Sequence, residues 1–229
     1  MSYTSTFSVR MSCQDCANSI TAALQSDPRV ENVSCDVDKD IVKVTSSAPP
    51  SRLVQLIQST GRDAIIRGSG APDSAAVCII ESHDPQHIKS PIRGLIRMIT
   101  LSTTSLLFDV SLSQLRPNCT YYPTIRSSGD ISRGALSTGA ALHTLSPILT
   151  DASGTAQIYQ TMPHLTVASL IGRSIALSTD PSGNVDASSP VGVIARSAGI
   201  WQNEKTVCSC SGKTLWEERR DAVSQGIRL

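Results

Sequence analysis

The chain has 229 residues, 40% of them hydrophobic and 17% charged, enough for real cores, and aromatics at 3% require those cores to be aliphatic. Twenty basic and nineteen acidic residues leave a formal net charge of +1, which excludes the electrostatic footprint of a nucleic-acid or anionic-membrane binder. No apolar run approaches the roughly 18 residues that span a bilayer, and Met1 to Thr6 lacks a basic segment followed by a hydrophobic one. The expected address is therefore the cytosol, with no membrane insertion.

The length suggests one large domain or two modest ones with a tail. In chain order, Thr6-Phe7-Ser8-Val9-Arg10 alternates as a strand entering a loop at Met11 to Asp15. Ala17 to Gln25 has a helical apolar face in Ile20, Ala23 and Leu24, which stops at Asp27-Pro28. Val33, Cys35 and Val37 predict a second strand, Asp38-Lys39-Asp40 a turn, and Ile41, Val42 and Val44 a third strand. Leu53, Leu56 and Ile57 predict a second helix starting near Pro50-Ser51, and Asp63 to Arg67 a fourth strand, which completes a ferredoxin-like βαββαβ order. Gly68 to Ser74 reads as a linker. Beyond it, short β-prone pieces at Ala76–Ile80, Gly94–Ile99 and Ser105–Val110, separated by turn-rich loops, predict an antiparallel sandwich or barrel. After Gly199 the pattern gives way to a polar segment, expected to be a flexible tail.

The seven cysteines form an odd set with two tight pairs, which fits a reducing compartment and metal or redox work better than a secreted disulfide framework. Cys13 and Cys16 stand three positions apart where a strand gives way to a helix, so both sulfurs can face one small ion. Two soft thiolates with few other donors nearby favour Cu(I), whereas zinc usually takes four protein ligands, or three and a water. The following helix N-terminus is expected to lower the pKa of Cys16 or of both thiols, and Met11 to pack beneath the loop. By itself a C-x-x-C pair also reads as a thiol redox couple or half of a structural zinc site. In the second pair, Cys208-Ser209-Cys210, the sulfurs are so close in sequence that transient chemistry, in metal or disulfide relay, suits them best, helped by Lys205 and Lys213. Cys35 and Cys78 lie in apolar strand-like runs and are expected to be buried; Cys119 falls in a loop without a clear role.

The M-x-C-x-x-C run after a first strand in a βαββαβ unit resembles the heavy-metal-associated domain of copper chaperones and copper-pumping ATPases, over roughly residues 4–67. That resemblance implies a basic residue before the last strand to offset a Cu(I) bis-thiolate, and Arg62 stands at a suitable place; an ordinary solvated arginine is the alternative. Leu170–Ile175, Gly192–Gly199 and Ser128-Gly129-Asp130 resemble Cu,Zn superoxide dismutase, a Greek-key β-sandwich. Where that enzyme carries a His-x-His copper pair, this chain has Thr124-Ile125-Arg126, and Ser178 stands where it has a further copper histidine. Only His143 and Asp151 remain as vestiges of the zinc loop, so zinc there is doubtful and dismutase activity is not expected. His83, His87 and His164 are scattered, with surface or loop roles expected.

With Trp201, the C-x-C pair and Ser211 to Arg220, the three segments together resemble the fungal members of the family of copper chaperones for Cu,Zn superoxide dismutase. The resemblance implies an α+β multidomain chain: a heavy-metal-associated domain at 1–70, a dismutase-like recognition domain at 71–199 and a C-x-C tail at 200–229. It implies Cu(I) held by Cys13 and Cys16, thiol exchange and metal relay through Cys208 and Cys210, and docking on superoxide dismutase as a heterodimer. A homodimer is the other assembly it admits. The competing readings are a structural protein in which Cys13, Cys16, Cys208 and Cys210 close one four-thiolate zinc site, and a dismutase-like metalloenzyme. The resemblance also admits a share of molecules in the mitochondrial intermembrane space.

Overall fold

Strand β1 (Tyr3–Val9) is buried along nearly its whole length because it has a partner on each side. The structure, a computed structural model, describes residues 2–82, 92–200, 207 and 211–224. Helix α1 (Gln14–Gln25) begins three residues before the expected start at Ala17 and buries Cys16, Ala17, Ile20 and Leu24, spaced to form one face. Strands β2 (Val30–Asp36) and β3 (Ile41–Ser46) follow, then helix α2 (Pro50–Gln58) and strand β4 (Ala64–Ser69). The four strands make an antiparallel sheet of order β2-β3-β1-β4. Helix α2 starts with proline in its first turn, where a missing N–H costs nothing, and buries Leu53, Val54, Leu56 and Ile57. Both helices close over Phe7, Val9, Val42 and Val44 to make one aliphatic core. At the foot of α1 the buried Asp27 accepts hydrogen bonds from Arg29 and Arg52, tying the α1–β2 turn to α2.

By internal contacts, residues 1–75 and 197–228 make one compact unit and residues 76–196 another. The second unit is all but entirely β. Its main strands are β5 (Ala75–Glu81), β6 (Arg93–Ser102), β7 (Ser105–Ser113) and β8 (Thr120–Arg126), then, beyond short β9 (Ser132–Ala135), β10 (Ala141–Thr144). Short β11 (Ile148–Leu149), β12 (Ala156–Pro163), helix α3 (Val167–Leu170), β13 (Ser174–Ser178) and β14 (Val191–Arg196) complete it. The sheet order is β10-β8-β13-β14-β5-β6-β7-β12. Consecutive β5, β6 and β7 are neighbours in the sheet, and crossover connections carry the chain from β7 to β8 and from β12 to β13 in the other half of the strand order, the Greek-key pattern. The sheet folds on itself, so that Ile80, Ile96, Met98, Phe108 and Val110 share a core with Tyr121, Ile125, Ile175, Leu177 and Ile194 from the other half. Gly192 on β14 is required by close approach: a Cβ there would sit 1.9 Å from the Ile79 carbonyl oxygen. Cys78 is fully buried in this core, and Cys35 in the first unit is half-buried against α1.

Within the first unit, Leu215–Ser224 form helix α4 where the sequence reading places a flexible tail. The physical reason is a capping box: the Thr214 hydroxyl accepts from the Glu217 N–H while the Glu217 carboxylate accepts from the Thr214 N–H, satisfying two otherwise orphaned donors. Trp201, Lys205, Cys208 and Cys210 lie outside the described residues, as do His83 and His87. Among the described residues no helix is long and apolar enough to cross a membrane.

Candidate metal centre

The loop between β1 and α1 is fixed from below by one residue of the β2–β3 turn. Asp40 adopts a φ of +55°, in the left-handed region that aspartate tolerates better than most residues. Its backbone carbonyl accepts from the Val9 N–H at 2.9 Å and its carboxylate from the Met11 N–H at 2.8 Å. The chain therefore leaves the sheet at a set angle, Met11 turns into the core at 7% exposure, and Ser12 and Cys13 are left at the surface.

Cys13 is the N-cap of α1, with extended backbone, and its carbonyl accepts from the Cys16 N–H at 3.1 Å. This turn brings the two sulfurs to 3.6 Å, with both thiols free. Cys13 is exposed and Cys16 largely covered. The Cys16 sulfur stands 3.4 Å from the Ser12 hydroxyl and accepts a hydrogen bond from Arg62 Nη2 at 2.9 Å. The second arm of that guanidinium donates to the Thr60 carbonyl at 3.1 Å, which holds it in place at the approach to β4.

These contacts decide the charge of the site. The Cys16 thiol is lowered from 9.0 to about 6, first by the Ser12 hydroxyl, then by the Ser12 backbone, the Arg62 guanidinium and the Cys13 thiol, with burial opposing. The lowering that the sequence reading expects from the helix N-terminus is found at Cys16, with Ser12, Arg62 and Cys13 as its causes. Ser12 is the residue that the sequence reading passes over; its place one position before the first cysteine is the signal that could have found it. The arrangement presents a soft thiolate and a second thiol at the surface beside a fixed cation, a donor set that selects a soft monovalent ion over zinc. The described residues contain no group of three or more His, Cys, Asp or Glu side chains able to hold a metal.

The other expected positions fall elsewhere. In the second unit, Thr124 and Arg126 lie on β8; Arg126 is 9% exposed, and its guanidinium donates to the Thr138 hydroxyl at 3.1 Å and to the Gly139 carbonyl. Ser178 is buried with its hydroxyl donating to the Asn184 carbonyl. His143 is exposed on β10, while Asp151 Oδ1 is engaged by the Ser153 and Thr155 N–H groups and the Ser153 hydroxyl. His164 lies in the turn after β12 with a φ of +61°. Cys119, half-buried, has its N–H bonded to the Thr150 hydroxyl at 3.0 Å.

Comparison with known proteins gives a consistent pattern. Residues 6–63 match the heavy-metal-associated domain. A superoxide dismutase 1 copper chaperone of Debaryomyces hansenii is 43% identical over 243 residues, spanning 97% of this chain and 96% of that protein. A superoxide dismutase 1 copper chaperone of Saccharomyces cerevisiae is 36% identical over 99% of this chain and 98% of its own length. Among solved structures, the copper(I)-loaded first domain of the human copper chaperone for SOD1 is 30% identical, covers 31% of this chain and 99% of its own, and aligns with a TM-score of 0.30.

Proposed function

The chain belongs to the family of copper chaperones for superoxide dismutase, and from that premise we propose that Cys13 and Cys16 are the residues that hold its Cu(I) cargo. The observation that carries this assignment is the Cys16 sulfur, 3.6 Å from the Cys13 sulfur and 2.9 Å from Arg62 Nη2. A Cu(I) ion bound by two thiolates leaves a net negative charge, and the guanidinium offsets it. Because Cys16 is largely ionised near neutrality, the ion displaces few protons when it binds. The exposed Cys13 gives an incoming thiolate a path to the metal, so transfer proceeds by ligand exchange, one sulfur joining before another leaves.

The β-sandwich of residues 76–196 is the recognition element, docking on an immature dismutase subunit as a heterodimer. Cys208 and Cys210 complete the delivery and assist formation of the target's disulfide, a two-electron oxidation for which dioxygen is the acceptor. The chain acts as a carrier with a thiol-exchange role, in a reducing cytosol that keeps its cysteines available. No zinc is assigned to the second unit, since the Asp151 Oδ1 oxygen is committed to its own loop.

The test mixes Cu(I)-loaded protein with copper-free, disulfide-reduced superoxide dismutase under a copper chelator, with dioxygen admitted, and follows dismutase activity and target disulfide together. Activation that is lost in a Cys13→Ser/Cys16→Ser variant supports the site, and loss in Cys208→Ser/Cys210→Ser supports the tail. Full activation by the first variant refutes the assignment of Cys13 and Cys16.

A further inference from the structure

Helix α4 lies within the same compact unit as the metal loop, and its side chains meet residues on both flanks of that loop. Trp216 and Arg219, three positions apart and so on one helical face, make the two contacts. The Arg10 guanidinium stacks over the Trp216 ring at 4.8 Å from its centroid, one residue before Met11. Arg219 grips Asp63 in a two-pronged ion pair, Nε to Oδ2 at 2.8 Å and Nη2 to Oδ1 at 3.0 Å, one residue after Arg62. The Arg219 side chain is 12% exposed and that of Asp63 36%, so the pair is partly shielded from solvent.

The Asp63 carboxylate is heavily subscribed. Oδ1 accepts from Gln58 Nε2, from the Ala64 N–H and from Arg219 Nη2, while Oδ2 accepts from Arg219 Nε. Partial burial pushes this carboxyl up, but the bonds from Arg219 and Gln58 outweigh it and hold Asp63 below the usual carboxylate range. A carboxylate next in sequence to Arg62 is the natural competitor for its guanidinium. Oδ2 accepts from Arg219 Nε, and the Arg62 guanidinium donates to the Cys16 sulfur and the Thr60 carbonyl.

We propose that Arg219 of α4 is a positioning residue for the Cu(I) site: by occupying Asp63 it keeps Arg62 directed at the Cys16 sulfur, and α4 is thereby a working part of the metal-binding unit. The inference rests on Cys13 and Cys16 being the cargo ligands. Removing Arg219 frees Oδ2, Arg62 turns toward Asp63, and the thiolate loses its guanidinium. Removing the Asp63 charge as well takes away the competitor, so Arg62 returns to Cys16 although α4 is no longer held by the ion pair.

The experiment uses the full chain and two readouts. In the copper-free protein, the Arg62 side-chain Nε–Hε signal is followed by NMR; it is expected to shift in Arg219→Ala and to return in Arg219→Ala/Asp63→Asn. In Cu(I) competition against a chromophoric chelator, Arg219→Ala is expected to lower affinity by roughly threefold to tenfold, the effect of one partly screened charge-assisted hydrogen bond, and the double variant to restore it. Purely structural loss of α4 docking would leave the double variant as weak as the single. An Arg62 signal unmoved by Arg219→Ala, or no rescue by Asp63→Asn, overturns the proposal. If the wild type's Cu(I) affinity is unaffected by Cys13→Ser/Cys16→Ser, the ligand assignment fails by itself, and the Arg62 signal still decides whether Arg219 directs that side chain.

Discussion

The ionisation of Cys16 gives the sharpest quantitative test. With a midpoint near 6, about nine-tenths of Cys16 is thiolate at pH 7, against about one-hundredth for a thiol at 9.0, a gain of roughly ninetyfold. Lower basicity also makes a poorer nucleophile: with a Brønsted slope of about 0.4–0.5, three pH units cost roughly 15- to 30-fold in intrinsic reactivity. Cys16 is therefore expected to react with iodoacetamide only a few-fold faster than a model cysteine peptide at pH 7, and more slowly than it above pH 9. Measured by mass spectrometry of the Cys16 peptide across pH, the profile should inflect near 6. Ser12→Ala should move the inflection upward most, because the hydroxyl is the largest cause, and Arg62→Leu should move it upward less. The same depressed value links to stability: folding favours the thiolate, so the contribution is full above the ordinary thiol range and is lost as pH falls from 9 toward 6. An inflection near 9 in the wild type, or one indifferent to both substitutions, would refute the electrostatic reading of the site.

Three further outcomes follow from the packing. Asp27, held far below the ordinary carboxylate range chiefly by Arg29, with Arg52 assisting, should make Asp27→Asn about 1–3 kcal/mol less stable by denaturant unfolding at pH 7. That deficit should shrink as pH falls below about 4, where the wild-type carboxylate begins to lose its own advantage. Cys78, whose burial pushes its thiol up to about 12, should resist alkylation in the native protein at pH 8 while Cys13 reacts; equal labelling would place it at the surface. Gly192→Ala should disrupt the β14–β5 pairing inside the sandwich, because its Cβ would meet the Ile79 carbonyl, and a thermal scan showing an unchanged melting temperature would contradict the close approach.

Much of the first unit was legible because its signals are local. The stop at Asp27-Pro28, the proline at the start of α2 and the alternation through Ile41 to Val44 act within a few residues of where they are read. The cysteine pair was legible for the same reason, since three residues at a strand-to-helix junction fix its geometry. What was not legible acts across the chain. Asp40 controls the loop through a hydrogen bond spanning 29 residues, and Arg219 reaches Asp63 across 156. No periodicity encodes such contacts, which depend on how helices and turns are brought together. Helix α4 is an intermediate case: Thr214-x-x-Glu217 is a capping signature, but the polar composition around it masked the helix. Arg62 was legible in position, and in role only through the family resemblance; the bond from its guanidinium to the Cys16 sulfur belongs to the folded loop.

The filled interior around Arg126 has a consequence for delivery. Imidazoles at the positions of Thr124 and Arg126 would set an internal trap, since copper released from the first unit would find a competing ligand pair in the same molecule. With Thr124 and Arg126 on β8, and the guanidinium spent on Thr138 and Gly139, the sandwich can be shaped for partnership without competing for the cargo.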